Sequence, residues 1–165
     1  MNIRTVQEGD EQPLIRLIAG FRASLAELRG NPTELDFAAA VEELNEYREK
    51  HFPIFVAEDA NISLAGYLVC RVDGDVAWVE SLYVKPEYRR MGVGSMLYNE
   101  AERLSQHLGG GTPYNWVDPN NDRMIYFLQN RGYNVLNLIE LRKPYPGETM
   151  SAKVSVGNHQ FGRRG

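Results

Sequence analysis

The run Leu82-Tyr83-Val84-Lys85-Pro86-Glu87-Tyr88-Arg89-Arg90-Met91-Gly92-Val93-Gly94-Ser95 holds the residue types and spacing best suited to chemistry. A strand pattern leads to Pro86, a short basic loop follows, and glycines open a helical pattern. The first N–H groups of a helix lack intrahelical acceptors and the dipole there is positive, so an anionic phosphate fits that place. Gly92 and Gly94 remove side chains that would hold a phosphate away from the amides. Arg89 and Arg90 add charge, and Ser95 offers a hydroxyl. The amides of Arg90, Met91, Gly92, Val93, Gly94 and Ser95 are therefore expected to grip a diphosphate. Other glycine loops fit less well. A dinucleotide fingerprint requires a third glycine where Leu97 stands, and a P-loop requires Gly-Lys-Ser/Thr, which the chain lacks. Taken alone, the glycines suit a plain strand-to-helix turn equally well; the basic pair and the preceding strand favour phosphate.

The elements that must position this loop follow from periodicity. Residues 2–7 read as a short strand. Leu14, Leu17, Ile18, Phe21, Leu25 and Leu28 recur at helical spacing until Gly30-Asn31-Pro32, and a second helix carries Phe37, Val41, Leu44 and Tyr47 on one side. Strands are expected over 54–57, 62–71 and 76–84, the last two joined by a hairpin turn at Asp73-Gly74-Asp75. In 76–84, Trp78, Glu80, Leu82 and Val84 share one face, and Val79, Ser81 and Tyr83 the other. The helix after Gly92 carries Val93, Met96, Leu97, Ala101, Leu104 and Leu108, and Gly109 stops it. A short strand over 114–117, a helix from an Asn121 N-cap to about Asn130, a strand over 133–141 and a last strand around Ala152, Val154 and Val156 complete the chain. The order β-α-α-β-β-β-α-β-α-β-β predicts one α/β domain over residues 1–165, with a mixed sheet and helices on its faces. Residues 144–165 form a C-terminal extension to it.

Composition narrows the function classes. The 165 residues suit one domain able to bury a core without staples, and a net charge of −4 offers no basic footprint for nucleic acid. Cys70 is the sole cysteine, and His51, His107 and His159 match no metal-ligand spacing, so no metal is expected. No apolar run approaches the roughly 18 residues of a membrane span, and the first residues carry no signal-peptide pattern, so a cytoplasmic protein without a membrane partner is expected. The final segment could pair with a neighbouring sheet edge, which leaves a homodimer open.

Arg89, Gly92 and Gly94 match the Gln/Arg-x-x-Gly-x-Gly/Ala motif of the GCN5-related N-acetyltransferase (GNAT) superfamily, and the whole run resembles its L-Y-V-x-P-x-Y-R-x-x-G-x-G version. Downstream, Asn121, Gly132 and Tyr133 keep the spacing of a second family motif, with Met124 at its small-residue place. The resemblance covers residues 2–143. It implies a mostly antiparallel sheet of about seven strands with four helices, whose fourth and fifth strands splay apart. It implies acetyl-CoA as co-substrate, with pantetheine pairing to the backbone of Leu82, Tyr83 and Val84. The pyrophosphate would lie on the Arg89–Ser95 loop, and Asn121, Met124 and Phe127 would form the other wall. Core packing explains Met124 and Phe127 as well. The implied reaction is direct attack of a small-molecule or peptide amine on the thioester in a ternary complex.

Such an amine must shed a proton, since an alkyl ammonium has a pKa of about 10. Glu80, a carboxylate on an otherwise apolar strand face beside Leu82, is the first choice of general base; an exposed position or an arginine partner are the alternatives. Asp118 is a second choice, though an Asp before Pro119 also suits a turn. Cys70 reads as a buried structural thiol, not an acyl-enzyme nucleophile. Many family members carry a general-acid tyrosine seven residues after the motif Asn; here that position is Leu128. Tyr126 is the nearest substitute, but it lies roughly 200° around the helix and reads better as a packing residue. A thiol with a pKa of about 8.5 departs tolerably as its thiolate, so the loss need not abolish catalysis. The loss nonetheless keeps a second class open, an acyl-CoA-binding sensor that catalyses weakly or not at all. Acidic residues between Phe21 and Phe55 could greet a cationic acceptor or could simply solvate helix faces.

Overall fold

A computed structural model describes residues 1–163. By internal contacts the chain divides into two compact units: Met1–Leu25 with Thr33–Trp116, and Ala26–Pro32 with Val117 onward. The first unit holds strand β1 (Asn2–Thr5), helices α1 (from Glu11; the helix runs to Leu28) and α2 (Phe37–Glu49), strands β2 (Ile54–Glu58), β3 (Leu64–Asp73) and β4 (Val76–Val84), helix α3 (Val93–Leu108) and the short strand β5 (Tyr114–Asn115). The sheet order is β1-β2-β3-β4-β5, antiparallel except for the parallel β4–β5 pair.

The core explains this order. Leu14, Leu17 and Ile18 of α1 and Ala40, Leu44 and Tyr47 of α2 are buried with Val56, Tyr67 and Val69 of the sheet. The α2 stripe runs through 40, 44 and 47, so Phe37 and Val41, expected on the buried side, are exposed instead. Val41 lies about 100° around the helix from Ala40, off the inward face, while Phe37 is nearly in phase with Leu44 but sits in the exposed first turn. β3 is buried without interruption from Leu64 to Cys70, as a central strand covered on both faces must be. Gly66 is required there, because a Cβ would lie 2.6 Å from the Tyr83 carbonyl oxygen. The β1 end is tied by Arg4, which donates to Asp10 at 2.6 Å and Glu58 at 2.8 Å; the Arg4 guanidinium holds the Asp10 carboxyl below the usual range.

The second unit contains α4 (Asp122–Asn130) and a separate hairpin, β6 (Ala152–Val156) with β7 (His159–Arg163). Seven strands are thus present among the described residues, divided five and two, in place of one sheet of about seven. The expected strand over 133–141 is irregular, and Val135, Leu136 and Leu138 are exposed. A strand exists only within a ladder, and this run has no paired neighbour among the described residues. β7 went unforeseen, although Gly157-Asn158 between alternating residues is a hairpin signal. No described helix is long and apolar enough to cross a membrane.

Candidate active site

β5 pairs with β4 only at Trp78↔Tyr114 and Val79↔Asn115. From Glu80 to Val84 that edge of β4 is therefore open among the described residues. Its polarity follows from the ladder: Lys85 N–H donates to Ala65 O on the β3 side at 2.9 Å. Alternate residues point their backbone groups to the same neighbour, so Tyr83 also faces β3 while Leu82 and Val84 face the open edge. Arg89 Nε donates to Val84 O at 2.8 Å, occupying that carbonyl. Leu82 N–H and C=O and Val84 N–H remain for an added extended chain. The Tyr83 side chain turns inward, its hydroxyl so near Gly20 of α1 that a Cβ there would lie 2.8 Å away. The Arg89 guanidinium stacks 5.5 Å from the Tyr83 ring centroid.

The loop after β4 makes a 3-10 turn at Pro86–Tyr88 and enters α3 at Gly92. Gly92 has φ +81°, a left-handed conformation that only glycine adopts cheaply, and no side chain caps the helix. Glycine is thus demanded there by the turn itself. A Cβ placed on Gly92 meets nothing within 4 Å, so the space above the helix start is open. Arg90 also takes a left-handed conformation, φ +63°, and with Met91 it is exposed. Among the described residues, none of the amides from Arg90 to Ser95 donates to a carbonyl outside α3 or to a side chain. Val93 is buried in the core, whereas Gly94 and Ser95 are half-buried. A row of free N–H groups at a positive helix end, with Arg90 beside it, suits an anionic group such as a phosphate.

A tether that sequence reasoning missed fixes the loop. Tyr88 O–H donates to Asp59 Oδ2 at 2.5 Å, while Asp59 Oδ1 accepts the amides of Asn61 and Ser63. The Tyr88 hydrogen bond, then the backbone donors, keep the Asp59 carboxyl below its ordinary range. The Asp-x-Asn-x-Ser spacing marks the turn at Asp59, but nothing local pairs it with Tyr88.

Glu80 is exposed on β4, with Oε2 3.8 Å from Arg71 Nε. The arginine partner weighed from sequence is therefore present. Arg71 lies against two indoles, 5.2 Å from the Trp78 centroid and 5.0 Å from that of Trp116. Trp78 also meets Tyr114 at 5.1 Å. None of this cluster was legible beforehand, since it joins three strands. Cys70 is fully buried and burial pushes its thiol up to about 12, which suits the structural reading.

In the second unit, Asn121 caps α4 by accepting the Met124 amide at 3.1 Å. Met124 and Phe127 are half-buried, and Arg131 lies 5.8 Å from the Phe127 ring centroid. Tyr126 is 66% exposed, which corrects its reading as a packing residue; Leu128 is the buried residue of this helix. The buried position of α4, 128, carries a leucine and no hydroxyl. Asp118 accepts the Asn120 amide at 3.0 Å and pairs with Arg29 at 3.1 Å, so it serves the turn. Among the described residues no group of three or more His, Cys, Asp or Glu is placed to hold a metal ion.

The model of the acetyltransferase (GNAT) family matches residues 22–133, and the chain belongs to that family. Solved structures share the fold at low identity. A GNAT-family acetyltransferase from Staphylococcus aureus Mu50 is 16% identical, with a TM-score of 0.62 over 79% of this chain and 82% of that one. The aminoglycoside 6'-N-acetyltransferase AAC(6')-Ig from Acinetobacter haemolyticus is 19% identical, with a TM-score of 0.59 over 88% and 99%. AAC(6')-Iy, in complex with the bisubstrate analogue CoA-S-monomethyl-acetylneamine, is 21% identical, with a TM-score of 0.62 over 87% and 98%.

Proposed function

We propose that residues 1–165 form one acetyltransferase domain that moves an acetyl group from acetyl-CoA to a primary amine of a small molecule or peptide. The observation that carries this reading is the row of unpartnered amides from Arg90 to Ser95, directly after a β4 edge left open at Leu82 and Val84. The co-substrate supplies an activated thioester carbonyl. The chain's residues hold and orient: the loop amides and Arg90 take the diphosphate, and Leu82 and Val84 align the extended arm. Glu80 takes the proton that the acceptor ammonium must lose. The amine nitrogen then bonds to the carbonyl carbon, the C–S bond breaks, and sulfur keeps the electron pair. The thiol has a pKa of about 8.5, so sulfur leaves as the thiolate and solvent protonates it.

The buried Leu128 favours a second reading, an acyl-CoA-binding sensor with little or no turnover. Acetyl-CoA-dependent acetylation of polyamines, aminoglycosides, amino acids and peptide N-termini separates the two. Turnover on any of these supports the enzyme. Tight acetyl-CoA binding with no turnover on all four supports the sensor, and no binding at all defeats both.

A further inference from the structure

We infer that Arg71 sets acceptor choice: with Glu80 it forms a receptor for an amine carried beside a carboxylate, as in an α-amino acid, in preference to a polyamine. The inference rests on the N-acetyltransferase reading above and adds its substrate class.

The argument starts from two charges that face each other without spending their hydrogen-bonding capacity. Arg71 Nε and Glu80 Oε2 are 3.8 Å apart, too far for a hydrogen bond. Arg71 Nε is moreover buried with no hydrogen-bond partner. A guanidinium donor left in that state is costly, and a small movement onto a ligand anion relieves it. The indoles of Trp78 and Trp116 fix the guanidinium by cation–π contact, so its fork is preorganised. The Arg71 and Glu80 side chains are 30% and 34% exposed, so a ligand reaches both.

Position supplies the rest. Trp78 and Val79 are the last β4 residues paired with β5, and Glu80 is the first on the open edge, two residues before Leu82. The charge pair therefore stands where the proposed acyl arm ends. A zwitterion whose ammonium and carboxylate lie a few ångströms apart matches the pair: its carboxylate takes the guanidinium fork, and its ammonium meets Glu80. A polyamine would instead bring a second cation to Arg71. Around α2, the N-cap Asp36 is engaged with the Ala39 amide, Glu43 with Arg22 and Tyr47, and Glu46 with Lys50.

The test uses acceptors that differ only in the carboxylate, L-phenylalanine against 2-phenylethylamine and L-lysine against cadaverine, with the full chain and saturating acetyl-CoA. The wild type should favour the amino acid by about tenfold or more in kcat/KM, carried mainly by acceptor KM. Arg71→Gln should bring that ratio close to one, and Arg71→Lys should retain part of it. Equal or better use of the decarboxylated amines by the wild type overturns the inference, as does an unchanged ratio in a folded Arg71→Gln. If that variant fails to fold, the wild-type ratio and Arg71→Lys still decide. Acetyl-CoA binding and turnover with a flat ratio defeats the acceptor assignment alone; failure of acetyl-CoA to bind defeats the underlying reading as well.

Discussion

Helices α3 and α4 begin in opposite ways. α3 starts at Gly92, whose backbone is left-handed and which has no side chain to offer, so the amides that follow are uncapped. α4 starts at Asn121, whose side chain takes the Met124 amide. Both starts carry the same partial positive charge, but α4 spends it on its own cap and α3 leaves it unspent. On the proposed reading, that missing cap is what a diphosphate replaces. Glycine at 92 costs conformational entropy on folding, and the left-handed turn requires it.

The strongest attempt to break this comparison is Gly92→Glu. It puts an anion where the diphosphate should rest and forces a side chain into a left-handed backbone, so acetyl-CoA KM should rise roughly a hundredfold or activity disappear. An unchanged KM in steady-state kinetics would remove the loop from cofactor binding. Next is Glu80→Gln, expected to lower kcat by roughly 10²-fold at saturating acetyl-CoA. A wild-type kcat would take the base role from Glu80. Asn121→Ala removes a structural cap and should cost about 1 kcal/mol, read as a fall in Tm. A loss of acetyl-CoA affinity as large as that of Gly92→Glu would erase the contrast between the two helix starts. The smallest effect is expected at Tyr126→Phe, with kcat within about twofold because an exposed hydroxyl away from the inward face contributes little. A hundredfold fall would show that the Tyr126 hydroxyl takes part in the reaction.

The β4–loop–α3 segment was legible because its signals are local. Pro86, Gly92 and the apolar period from Val93 to Leu108 each act on backbone within a few residues, and Gly109 ends the helix with φ +85° as a C-terminal glycine should. The run over 133–141 was misread for a related reason: its apolar residues carry a strand signal, but pairing depends on a neighbour that the run itself does not contain. Tyr126 and Leu128 show partial success. Helical phase placed them on different faces, but phase alone did not say that Tyr126 would face solvent.

From sequence alone came the family, the loop that should meet a diphosphate, and the helix starts and stops, because backbone conformation and capping are settled by neighbours in the chain. Tertiary structure alone decided which β4 groups lie on an open edge, that Arg89 occupies the Val84 carbonyl, that Tyr88 reaches Asp59, and that Arg71 lies against two indoles beside Glu80. Those contacts join strands and loops far apart in sequence, and their distances are set by sheet register and packing, which no short-range pattern encodes.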